Sequence, residues 1–110
     1  MKRLTLLIAL FGVLAGAASG SFVNVISSNS SFSTTVAVPT TANCQQFGAA
    51  YAYTPSYPSV TICSGPLGFY SVTSASTPNS FSVSGVIAAG SYSVFESQTG
   101  SGYSGIVIAW

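Results

Sequence analysis

Of Glu, Lys, Arg and Met, the long unbranched residues that favour helices, only Glu96 occurs after Arg3. In their place stand short β-branched or aromatic runs that alternate apolar with small polar residues, each closed by a turn cluster. Such a chain has little from which to build a helix and much from which to build sheets. The runs are Phe22–Ile26, Phe32–Val38, Ser59–Cys63, Phe69–Thr73, Phe81–Ile87, Ser91–Glu96 and Tyr103–Trp110. In the second, Phe32, Thr34, Val36 and Val38 fall on one face before Pro39 stops the strand. Residues 44–53 fit either a strand or one helical turn leading into a strand. About seven strands, with turn signals every ~8–12 residues, is the pattern of a β-sandwich. The expected fold is therefore all-β, a single antiparallel sandwich.

The first residues follow a different logic. Lys2-Arg3 is a positive n-region, Leu4 to Leu14 an apolar stretch, and Ala15-Gly16-Ala17 an A-x-A cleavage site, the three parts of a secretory signal. The apolar run gives way by Ser19-Gly20-Ser21, short of the ~20 residues a spanning helix needs. This organisation divides the chain into a signal over residues 1–17 (cleavage at 17/18, or at 20/21), an N-terminal strand and Ser/Asn-rich linker over 18–31, and a sandwich domain over 32–110. The mature protein is expected outside the cell or at its surface, with no membrane span after processing.

Removing the signal removes both basic residues. What remains has one carboxylate, Glu96, and the chain has no His at all. A serine nucleophile needs an adjacent base and a third residue to orient it. Calcium and zinc sites need several carboxylate, His or Cys ligands. Nucleic-acid binding needs cations to neutralise phosphates. No enzyme, metal site, cofactor or nucleic-acid partner is therefore expected. Glu96 is expected on a solvated strand face, and stability is expected to vary little with pH until tyrosines titrate near ~10.

Cys44 and Cys63 are the two cysteines. In an exported chain an even pair reads as one disulfide. Closing that loop is worth about 3 kcal/mol in the chain-entropy model. A redox or metal-binding pair would call for C-x-x-C spacing or a His, and neither is present.

Gly85-Val86-Ile87-Ala88-Ala89-Gly90-Ser91-Tyr92-Ser93-Val94 resembles the "aliphatic, small, Gly, small, Tyr, polar, Val" corner of immunoglobulin-like sandwiches. In those proteins a Tyr entering the penultimate strand bonds back to the corner's backbone. Tyr92 holds that position, and the resemblance implies an immunoglobulin-like sandwich.

Three further features bear on function. Asn29-Ser30-Ser31 is an N-x-S/T glycosylation acceptor in the polar linker. Tyr51, Tyr53 and Tyr57 stand at alternating or near-alternating positions beside Pro55 and Pro58, the best patch for stacking on the apolar face of a sugar; Trp110 is a further aromatic of this kind. Finally, both termini of the domain are apolar strands without charged gatekeepers. Phe22, Val23, Val25 and Ile26 form a donor-strand candidate on a Ser/Asn linker, and Ile106, Val107 and Ile108 an exposed-edge candidate. Such strands either complete their own sandwich or pair with a neighbouring copy.

The signal, one small sandwich, one cysteine pair and an almost uncharged Ser/Thr surface resemble the subunits of extracellular filaments assembled by donor-strand exchange. These include some archaeal threads and bundling pili and the bacterial chaperone–usher pili. The chain is shorter than the chaperone–usher type and ends in Trp110. It also lacks the basic-Gly junction of type IV pilins, since Leu4 follows Arg3 directly. The resemblance implies a filament, pilus or coat subunit that self-associates into a homopolymer. The alternatives are a secreted monomeric module for carbohydrate or surface adhesion, with carbohydrate as its partner, and a viral coat subunit.

Overall fold

The computed structural model describes residues 21–27 and 29–110. The signal expected over residues 1–17 lies outside them. Among the described residues there is no helix, and hence none long and apolar enough to cross a membrane. Eight strands form: β1 (Ser21–Ile26), β2 (Ser31–Val38), β3 (Ala42–Ala52), β4 (Ser59–Gly65), β5 (Gly68–Ser74), β6 (Asn79–Ile87), β7 (Gly90–Thr99) and β8 (Gly102–Ala109). The eighth beyond the expected seven is β3, whose ambiguous 44–53 stretch is extended through Ala52. It contains Gly48, Ala49 and Ala50, small residues that suit a strand lying between β8 and β6.

The strands divide into two antiparallel sheets, β1-β8-β3-β6 and β2-β7-β4-β5. Of the six pairings, β4 with β5 alone joins strands consecutive in the chain. Every other neighbour is reached by crossing from one sheet to the other, which is the order of an eight-stranded jelly roll. The immunoglobulin-like expectation is corrected here. An immunoglobulin sandwich places the chain's first two strands side by side, whereas β1 and β2 lie in different sheets. The corner that suggested it forms locally all the same: the Tyr92 hydroxyl donates to the Ala88 carbonyl at 2.6 Å.

Period-2 alternation sets the core. On β2, Val36 and Val38 point inward while Ser31, Ser33, Thr35 and Ala37 stay exposed; on β7, Val94 points inward between Ser93 and Phe95. They meet Cys44, Cys63, Ile87, Ile106 and Ile108 in one buried cluster. Each such aliphatic side chain contributes roughly 1.5–3 kcal/mol through burial. A second cluster, Phe47, Ala49, Val107 and Ala109 with Val23 and Val25, occupies the opposite face of the first sheet.

Two further expectations are corrected in the core. Cys44 and Cys63 are both free, buried thiols rather than a disulfide. Cys44 lies on β3 and Cys63 on β4, in different sheets, and both serve as small apolar side chains in the same core cluster. The Gln46 side-chain amide donates to the Cys63 sulfur at 3.7 Å, and burial pushes that thiol up to about 11.

Glu96, expected on a solvated face, is fully buried. It shares its face of β7 with Tyr92, Val94 and Gln98, so alternation carries it inward. The Ser104 hydroxyl donates to its Oε2 at 2.7 Å and the Asn24 amide to its Oε1 at 3.4 Å. Burial raises its pKa, and the Ser104 hydrogen bond offsets part of that rise.

Candidate functional site

In this topology the β1–β2, β3–β4 and β7–β8 connections lie at one end of the sandwich. The register shows it: Ile26 lies opposite Ser104, Ala52 opposite Gly102, and Val60 opposite Thr99. Between them opens a cleft of about 400 Å3, lined by Asn29, Tyr53, Tyr57, Gly100, Ser101 and Gly102.

Local chemistry brings the three loops together. Pro55 and Pro58 keep residues 53–58 from extending β3, and the Tyr57 amide turns back to the Thr54 carbonyl at 3.3 Å. Asn29 holds a positive φ of 40°, a conformation Asn tolerates better than most residues. The Gln98 amide donates to the Ser30 carbonyl at 2.9 Å, which fixes the β1–β2 connection against β7. Across the cleft the Ser101 hydroxyl donates to the Tyr57 carbonyl at 3.3 Å.

The two glycines beside Ser101 permit this approach. A Cβ on Gly100 would lie 1.8 Å from the Pro58 carbonyl oxygen, and one on Gly102 1.9 Å from that of Tyr51. Both have positive φ, 90° and 133°. No side chain fits at either position.

Of the three tyrosines read from the sequence, the fold exposes two. Tyr57 is 67% and Tyr53 49% exposed, while Tyr51 is buried. The Tyr51 and Tyr53 rings both pack against buried Tyr103, at centroid distances of 5.2 and 6.0 Å. Tyr103 thus anchors the ring of Tyr53 from behind. Trp110 is half-buried against the core and takes no part in the cleft. Asn29, read as a glycosylation acceptor, is exposed and forms part of the cleft wall. Gly100, Ser101 and Gly102 read in sequence as a turn and nothing more; their role depends on the fold that sets them against Tyr57.

The cleft therefore presents two aromatic rings, an amide, a hydroxyl and exposed backbone, with no charged side chain. Among the described residues the one charged side chain, Glu96, is buried elsewhere, and no cluster of three or more His, Cys, Asp or Glu exists to hold a metal.

No protein-family model matches the chain, and no curated protein matches it in sequence. Solved structures of similar outline include a carbohydrate-binding module of a Cellvibrio mixtus lichenase, in complex with cellotriose. It is 13% identical, with 84% of this chain and 88% of that one covered and a TM-score of 0.43. The C-terminal family 6 carbohydrate-binding module of a marine laminarinase from Zobellia galactanivorans is 12% identical, covering 87% and 95%, with a TM-score of 0.44. A family 35 carbohydrate-binding module from Clostridium thermocellum is 10% identical, covering 83% and 92%, with a TM-score of 0.47.

The filament expectation is corrected. The donor-strand candidates Phe22, Val23, Val25 and Ile26 lie in β1, paired along its whole length with β8 of the same chain. The edge candidates Ile106, Val107 and Ile108 are central, flanked by β1 and β3, and at most 2% exposed. Apolar terminal strands are absorbed here into their own sheet, β1 against β8 and β8 between β1 and β3, instead of being left for a neighbouring copy.

Proposed function

We propose that the chain is a secreted, non-catalytic carbohydrate-binding module whose sugar rests on Tyr57 and Tyr53. The observation that carries this reading is the end cleft: two exposed tyrosines, one braced from behind by Tyr103, beside the Asn29 amide and the Ser101 hydroxyl. Aromatic faces pack against the C–H face of a pyranose, and a few fixed polar groups then choose its orientation. The secretory signal read over residues 1–17 supports an extracellular setting. A chain with no His and a single buried carboxylate supports a role in binding rather than turnover.

Affinity electrophoresis of the secreted protein through gels containing soluble polysaccharides tests this. Retardation by at least one polysaccharide is expected, and Tyr57→Ala and Tyr53→Ala should each weaken it by roughly tenfold, Tyr57→Ala without lowering the melting temperature. Retardation that both variants retain in full would place the site elsewhere.

A further inference from the structure

We infer that the cleft selects uncharged sugars and binds them without a divalent cation and without dependence on salt. This rests on the sugar-binding reading above and adds the chemical class of its ligand. The argument is one of charge. A uronate or sulfate group brought into a partly enclosed cleft loses water, and this is offset when a cation or a bound metal receives it. Lys2 and Arg3 are the chain's two basic residues, both within the segment read as the signal. A calcium bridge, the other way to hold an anionic sugar, needs several carboxylates. The one carboxylate, Glu96, is fully buried and committed to Ser104 and Asn24.

What the cleft does present matches a neutral ring. Tyr57 and Tyr53 offer flat apolar faces, best used by sugars whose hydroxyls are equatorial and whose axial C–H bonds point at the ring plane. The Asn29 amide supplies a donor and an acceptor, and the Ser101 hydroxyl, whose proton goes to the Tyr57 carbonyl, a further acceptor. Gly100 and Gly102, packed against the Pro58 and Tyr51 backbone, complete the wall beside them. At about 400 Å3 the cleft is at the small end of ligand sites, suited to a short stretch of sugar rather than a long chain.

The test is an array of oligosaccharides carrying neutral gluco-, manno-, galacto- and xylo-configured members beside uronate- and sulfate-bearing ones. It is probed with the secreted protein in low salt, in about 1 M NaCl, where charges are screened beyond ~3 Å, and in EDTA. The expected result is binding confined to neutral members, with affinity changing less than about twofold across the three conditions and falling roughly tenfold in Tyr57→Ala. Binding to anionic members alone, or neutral binding abolished by EDTA, would overturn the inference while leaving a sugar-binding module. Binding to no member by a protein that still melts cooperatively would overturn the sugar-binding reading itself.

Discussion

Glu96 is the residue on which sequence and structure part most sharply, and its burial gives stability a pH dependence where little was expected. It sits inward on β7, held by Ser104 and Asn24; Phe32 and Cys63 are its register partners on the two flanking strands. The Cys63 thiol faces it from β4, and burial keeps that thiol neutral. Burial likewise holds the folded-state pKa of Glu96 above its unfolded value of about 4.3. The stabilising form is the neutral acid. Its contribution is fully present below about pH 4.3 and is lost as pH rises through the folded-state value. The melting temperature should fall from acid towards neutral pH, and Glu96→Gln, which keeps the shape and an acceptor for Ser104, should flatten that fall. Parallel melting curves for the two proteins across pH 3–9 would show that Glu96 is not the titrating group. The inward position was legible, since Tyr92, Val94 and Glu96 alternate on one face. The general tendency of carboxylates to stay solvated obscured it.

At the scale of the strands, alternation was enough to locate nearly every element, because a sheet with one buried face writes its period into the sequence. It could not give the order. Strand pairing is set by contacts between segments far apart in the chain, such as β1 with β8, and no local residue encodes them. The same gap explains why β8 reads as an exposed edge: an uncharged apolar strand looks alike whether it ends a sheet or lies inside one. Its burial over all eight residues makes it the structural centre of its sheet. Ile106→Ala should therefore cost about 2–5 kcal/mol, whereas Val86→Ala on the exposed face of β6 should stay within about 0.5 kcal/mol. Chemical denaturation of the two variants checks this. Similar midpoints would mean that β8 is not central in solution.

For the molecule as a whole, the candidate site is a product of topology. Tyr53 and Tyr57 were visible as aromatics near prolines, but Asn29 and Gly100-Ser101-Gly102 join them only because a jelly roll returns the β1–β2, β3–β4 and β7–β8 connections to one end. The cleft is thus built on both sheets: Ser101 and Gln98 tie its walls to β3–β4 and β1–β2, and Tyr103 of β8 supports Tyr53. Those walls come apart on unfolding, so a sugar that fits the cleft binds the folded chain alone and stabilises it by mass action. At a ligand concentration about a hundred times Kd the gain is about 2.7 kcal/mol. For a domain of this size that corresponds to a rise of roughly 10–20 °C in melting temperature. Tyr57→Ala should melt close to the parent without sugar, because its ring is largely exposed, yet lose most of the rise with sugar present. An equal rise in both proteins would mean that the sugar binds the folded chain at a place other than this cleft.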